Sequence, residues 1–202
     1  MDTLKVYAGS IDERATERAV EALRSGLCII YPTDTLYALG CDALNNRAIE
    51  RLCALKGINP AKQQLSIVCS DLSQAAEYAR IDNHAFKVLR HYLPGPYTFV
   101  LPASTSLPKV FKGRKTVGVR IPDCEIARHL AAGLGRPLLT TSVAVDDDRY
   151  DATDAESLAW HFETIAALAI DGGEGSTEPS TVVDLTDSAD PRLLRQGAGV
   201  FE

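Results

Sequence analysis

The chain has 202 residues, 46% of them hydrophobic and 24% charged, with a formal net charge of −6. That balance excludes a disordered chain or a coiled coil, and a chain of this size can bury roughly 70% of the surface it exposes when unfolded. No apolar stretch reaches the roughly 18 residues of a membrane span and no basic-then-apolar leader opens the sequence, so a cytoplasmic location is expected.

In chain order, a helix is predicted over Ile11 to Ser25, where Ile11, Ala15, Ala19, Ala22 and Leu23 recur near the helical period and Gly26 tolerates positive φ at the end. A strand, Leu27 to Tyr31, follows at once. Asn46 is placed as the cap of a helix through Leu55, with Ile49, Leu52, Cys53 and Leu55 facing inward. Then come a strand at Ser66 to Cys69, helices at Leu72 to Ala79 and Asn83 to Tyr92, and strands at Tyr97 to Leu101 and Thr116 to Ile121. A helix at Ile126 to Leu134, a strand at Pro137 to Thr141 and a helix at Ala155 to Ala167 follow. Strands at Leu168 to Asp171, Thr181 to Leu185 and Leu193 to Arg195 complete the set. Helices and strands interleave without a linker, so the expectation is one α/β domain over residues 1–202, a twisted open mixed sheet flanked by helices. The expected loops are Asp146 to Asp154, with five aspartates and one arginine, and the glycine-rich Asp171 to Pro179.

Charge is unevenly spread. Residues 1–108 are neutral, 109–145 carry +5 and 146–202 carry −11. A positive middle segment can attract phosphate even in an acidic protein. The five cysteines form no C-x-x-C and leave one over in any full pairing, which suits small core residues in a reducing compartment. The four histidines show no metal-ligand spacing.

The stretch 27-LCIIYPTDTLYALG-40 is an apolar strand stopped by Pro32, which has no backbone donor. Ligands bind outside the carboxyl ends of strands in open α/β sheets, which would place Thr33, Asp34 and Thr35 at a pocket mouth. A polar turn with Asp34 capping backbone groups accounts for the same residues. Two further segments, 115-KTVGVRIP-122 and 138-LLTTSV-143, end strands in a cation or hydroxyls, and 179-PSTVVD-184 is another segment rich in hydroxyls. Lys56 ends a helix, Lys62 lies in the loop beyond it, and Arg120 and Arg195 stand at strand ends, where a guanidinium fork suits phosphate or carboxylate.

Taken together, YPTDTLYALGCDA, the lysine of ALKG, LPGPYTFVLPA, KTVGVRIPD, LLTTSVA, PSTVVDLT and RQGAG resemble, in this order, the YrdC-like family, and most closely its YciO branch. The resemblance implies a twisted sheet with a concave, positively charged groove. It also implies threonylcarbamoyl-AMP synthesis from L-threonine, bicarbonate and ATP, with pyrophosphate released, in service of a tRNA adenosine modification. ATP would arrive with magnesium on its phosphates, and no tightly bound metal is expected. Carried over by position, Thr33, Thr35, Ser142 and Thr181 would bind the amino acid. Lys56, Lys62, Arg120, Ser142 and Arg195 would bind the nucleotide, with Lys56, Arg120 and Ser142 as the catalytic set. Two positions depart from the pattern: the family's K-x-R reads Lys56-Gly57-Ile58, and its S-x-N reads Ser142-Val143-Ala144. Double-stranded RNA or tRNA binding by Lys109, Lys112, Arg114, Lys115, Arg120 and Arg128, and action on another nucleotide or a carbamoyl-phosphate-type substrate, are the alternatives.

Overall fold

One mixed sheet runs through the molecule in the order β1-β8-β2-β3-β7-β4-β6-β5-β9-β10. The computed structural model describes residues 1–7, 9–59, 63, 65–108, 111, 115–145 and 147–202. Among them the strands are β1 (Asp2–Lys5), β2 (Cys28–Tyr31), β3 (Ala38–Asp42), β4 (Ser66–Val68), β5 (Tyr97–Pro102), β6 (Thr116–Arg120), β7 (Leu138–Ser142), β8 (Ala166–Asp171), β9 (Thr181–Asp184) and β10 (Arg192–Arg195). The helices are α1 (Glu13–Arg24), α2 (Asn46–Leu55), α3 (Leu72–Tyr78), α4 (Asn83–Tyr92), α5 (Glu125–Leu134) and α6 (Ala155–His161). No described helix is long and apolar enough to cross a membrane.

Local chemistry sets the helix ends. The Asp12 carboxylate accepts from the Arg14 and Ala15 amides at 2.9 and 3.2 Å, Glu13 sits in the first turn of α1 and Arg24 in its last, in keeping with the helix dipole. The cap of α2 is Asn45, not Asn46: its side chain accepts from the Ala48 amide at 3.2 Å. At the far end of α2, Gly57 adopts φ +63°, the Gly57 amide reaches Ala54 O and the Ile58 amide reaches Cys53 O at 2.8 Å. This is the Schellman closure, in which the residue after the glycine packs inward, and Ile58 packs on the core.

Three expectations are corrected. The helix expected over Ala155 to Ala167 ends at His161, since the Ile165 and Ala166 amides both turn back to Phe162 O at 2.9 Å. The strand expected from Leu168 starts at Ala166 instead, and this β8 lies between β1 and β2, parallel to both. A short apolar run of this kind has the same signature in a buried helix and a parallel strand. The strands β1 and β3 were not expected. β3 contains Gly40, a weak strand former, and is held by pairing with β2 (Ile29 opposite Gly40) and β7 (Gly40 opposite Thr140).

Strand alternation sorts the two faces. On one, α2, α4 and α6 bury Ile49, Leu52, Leu89 and Leu158 against Ile30, Leu39, Ile67, Phe99, Val119 and Leu139. On the other, α1 and α5 bury Leu23 and Leu130 against Ile29, Tyr31, Leu138 and Ile170. Beyond α1 and α5 that second face continues across β7, β4, β6, β5 and β9, and there the inward positions turn small and polar. Thr140 stands opposite Ser66, Ser66 opposite Gly118, and Thr98 opposite Val182.

Candidate functional site

This uncovered stretch of sheet forms a cavity of about 250 Å³ lined by Ser66, Thr98, Arg120, Thr140, Thr141, Ser142, Ser180, Val182 and Arg195. Its floor comes from the polar face just described, one wall from the end of β6 and the other from β9 and β10. Ligand pockets commonly run about 300–1,000 Å³, so the cavity suits a phosphate or an amino acid rather than a whole nucleotide. A second, more open cavity of about 550 Å³ is lined by Ala144, Asp147, Asp148 and Arg149, just past the end of β7.

Arg120 is the centre of the polar wiring. Its side chain is 4% exposed and pairs with Asp34, itself 8% exposed, at 2.9 Å. The same Nη2 donates to Thr35 Oγ1 at 2.9 Å. The other Asp34 oxygen accepts from the Asp123 amide at 2.8 Å. Burial pushes the Asp34 carboxyl up from its ordinary value, while the Arg120 guanidinium pulls it down. The buried Arg120 Nε–H has no hydrogen-bond partner among the described residues.

Proton positions in the adjoining turn follow from the acceptors. Thr33 Oγ1 donates to the Leu36 carbonyl at 2.7 Å, so the 3.1 Å contact between Thr33 and Thr35 hydroxyls has Thr35 as donor. Thr33 Oγ1 also accepts from the Thr35 amide. Thr35 is 1% exposed. Both hydroxyls are therefore engaged within the turn and with Arg120.

On the opposite wall Arg195 is exposed, and its Nη2 and Nε both donate to the Ser180 carbonyl, at 2.8 and 3.3 Å. Ser180 and Thr98 share a buried hydroxyl contact at 2.9 Å. Tyr31, fully buried, reaches across Gly40 on the same face of the sheet and donates to Thr140 Oγ1 at 2.9 Å, and burial raises its phenol to about 12. Ser142, at the end of β7, is exposed on the rim.

The expected residues divide. Arg120, Ser142 and Arg195 line one cavity, and Thr33 and Thr35 reach it through Arg120. Thr181 is placed elsewhere: it is fully buried, its hydroxyl donates to Gly199 O and accepts from the Gly197 and Gly199 amides. A Cβ at Gly197 would run into the Pro179 carbonyl, which is why a glycine stands in RQGAG at this point. Lys56 does not line the cavity. It caps α2 with its Nζ 5.6 Å from the centre of the Phe162 ring, and burial lowers its pKa against an opposing pull from Asp147. Lys62 lies outside the described residues, as do Lys109, Lys112 and Arg114. Lys115 borders a separate cavity with Arg80, and Arg128 is bonded to Pro122 O and Asp123.

Ser66, Thr98, Thr140, Thr141 and Ser180 line the cavity without having been singled out as site residues, while Asp34, expected at the pocket mouth, reaches it through Arg120. The signal for the lining hydroxyls was alternation: a hydroxyl at an inward position of an otherwise apolar strand, as Thr98 is between Tyr97 and Phe99. One of the two departures has a local explanation. Ile58 closes α2 and packs on the core, whereas nothing in the structure explains the alanine at 144, whose amide donates to the Tyr150 hydroxyl at 3.1 Å. Among the described residues, no cluster of three or more His, Cys, Asp and Glu is arranged to hold a metal ion.

The sequence model of the Sua5, YciO and YrdC family, described as "Telomere recombination", matches residues 21–197. The uncharacterized protein YciO of Escherichia coli K12 is 36% identical over 196 residues, which is 96% of this chain and 94% of that one. Its crystal structure superimposes with a TM-score of 0.90 over 99% of this chain and 98% of the other, at 34% identity. A threonylcarbamoyl-AMP synthase of Pyrococcus abyssi is 36% identical over 93% of this chain, which spans 55% of that longer protein. The crystal structure of P. abyssi Sua5 complexed with L-threonine superimposes with a TM-score of 0.86 at 34% identity, over 98% of this chain and 58% of that one. A matched family model over most of the chain and a relative alike over nearly its whole length agree with the ten-stranded fold, and the chain belongs to the Sua5/YciO/YrdC family.

Proposed function

We propose that this protein joins L-threonine, bicarbonate and ATP into threonylcarbamoyl-AMP, or carries out a close variant of that reaction, with a nucleotide site weaker than the family pattern. The observation that carries this reading is the convergence of Arg120, Ser142 and Arg195 on one hydroxyl-lined cavity, in a chain similar to a threonylcarbamoyl-AMP synthase and to a Sua5 structure complexed with L-threonine.

The chemistry asks little of acid–base groups. A carbamate oxygen attacks the α-phosphorus and pyrophosphate leaves, so positioning and charge stabilisation carry the rate. Arg120 and the floor hydroxyls hold the small anionic end of the reacting pair, Arg195 faces the phosphates from the β10 side, and Ser142 sits between them on the rim. Lys56 approaches from α2, next to the open cavity at Ala144 and Asp147, where the outer phosphates would extend. Magnesium is counted as part of the ATP substrate. Ile58 and Ala144 remove a cation and an amide from the family pattern, and one lost preorganised contact typically costs about 10²–10³ in rate.

The test is threonine-dependent release of pyrophosphate from ATP and bicarbonate by purified protein. A slow release that disappears in Lys56→Ala and Arg195→Ala is expected; release no faster than in those variants rejects the reading. The alternative of double-stranded RNA binding has less behind it, since Arg120 is too buried for a duplex backbone to reach and Arg128 is bonded to Pro122 O and Asp123.

A further inference from the structure

Motif reading makes Thr33 and Thr35 direct ligand contacts, yet the hydrogen-bond polarity of the turn runs another way. Arg120 Nη2 donates to Thr35, Thr35 donates to Thr33, and Thr33 donates to the Leu36 carbonyl. Thr33 Oγ1 accepts from both the hydroxyl and the amide of Thr35, which fills its lone pairs. Asp34 takes Arg120 Nη2 on one oxygen and the Asp123 amide on the other, tying the turn to the start of the β6–α5 connection. These bonds use Nη2 alone and leave Nη1 and Nε without a partner among the described residues, Nε buried, on a side chain that is 4% exposed and borders the cavity. Buried polar groups are otherwise almost always bonded, and an unpartnered donor on a buried cation beside a polar cavity marks the place of an acceptor.

We infer that Thr33, Asp34 and Thr35 are positioning residues that grip Arg120 by Nη2, so that the rest of its guanidinium is held toward an anionic oxygen in the cavity. The oxygen belongs to a carboxylate or a phosphate. This deepens the proposed function and rests on it for the identity of the ligands, but not for the grip itself. Asp34, which a plain turn-capping role would confine to the backbone, thereby becomes part of the site.

Proton–nitrogen correlation spectra give each arginine Nε–H its own signal. Arg120→Lys assigns the signal of interest, and Asp34→Asn, which shifts the same signal, assigns it should the lysine variant fail to fold. L-threonine and inorganic pyrophosphate serve as carboxylate and phosphate probes, with affinities from calorimetry. One probe or both should shift the Arg120 signal, and which does so names the class of oxygen. Thr35→Val should move that signal in the free protein and weaken the probe about tenfold, with Thr35→Ser restoring both. The inference is overturned if neither probe moves the Arg120 signal, or if Thr35→Val leaves affinity unchanged. It is equally overturned if that variant loses affinity while the Arg120 signal stays in place, for then the hydroxyl touches the ligand itself. Binding that behaves as expected without threonine-dependent pyrophosphate release would remove only the synthase reading.

Discussion

One face of the sheet contains two regions built on the same strand register. Under α1 and α5 its inward positions are Ile29, Leu138 and Ile170; a few strands further on they are Ser66, Gly118 and Thr98. β7 belongs to both, since Leu138 packs under the helices and Thr140 and Ser142, two and four residues on, line the cavity. The strands are paired in both regions, so the difference lies in the side chains. Where helices cover the sheet, burial of apolar area stabilises it. Where they do not, a solvated polar face is left open on a rigid floor, which is what a binding site requires.

The largest effect should come from cutting each region at its most buried point. Arg120→Ala leaves the Asp34 carboxylate buried without its cation and should cost about 3–5 kcal/mol. Leu130→Ala, at a fully buried α5 position, should cost about 2–5 kcal/mol through its cavity. Urea unfolding measures both. The regions separate when ligand affinity is measured on the remaining folded protein: Leu130→Ala should keep it and Arg120→Ala should lose it. Equal retention would break the distinction.

A smaller effect tests the seam. Thr140→Val removes the acceptor of the buried Tyr31 hydroxyl and should cost about 1–3 kcal/mol. Tyr31→Phe removes the donor instead and should cost less, about 0.5–1.5 kcal/mol, by the same denaturant measurement.

Most of the architecture was legible because it rests on local periodicity. Asn83 to Tyr92 is read to the residue, and α1, α5, β5, β6 and β9 within two residues at either end. The helix expected as far as Ala167 overran Ala166 and Ala167, which belong to the strand expected from Leu168; apolar residues carry the same signature in either element, and only pairing with β1 and β2 decides between them. The site was legible in part. Arg120, Ser142 and Arg195 follow from strand-end chemistry and family order. Asp34 follows only in its place at the end of β2; its pairing does not, because the partner lies 86 residues away and no local pattern encodes it. Thr181 illustrates the converse: a hydroxyl in a family motif can serve the fold, here by holding the RQGAG turn.

Lys56 sharpens the comparison through pH. Its pKa is held below the ordinary lysine value of 10.5 by burial. The unfolded chain therefore binds the proton more tightly, and the penalty for burying the charged amine, full below the folded pKa, is relieved as pH rises toward 10.5. Stability relative to Lys56→Met should rise over that interval. Affinity for ATP should fall over the same interval and stay level in Lys56→Arg, whose guanidinium remains charged. An affinity profile identical in wild type and Lys56→Arg would take Lys56 out of the nucleotide site.

The smallest effect is expected from an ion pair that looks equivalent on distance alone. Arg192 and Asp190 approach to 2.7 Å, closer than Arg120 and Asp34, but their side chains are 71% and 63% exposed. Water and salt already solvate both charges, so pairing replaces good interactions with others of similar strength while fixing two flexible side chains. Arg192→Ala should melt with the wild type, within error, at low and high salt. A clear loss at low salt would mean that β10, the sheet's exposed edge, depends on this contact to keep Arg195 against Ser180, and the wall of the cavity would then be set by surface charge rather than by the β9–β10 pairing.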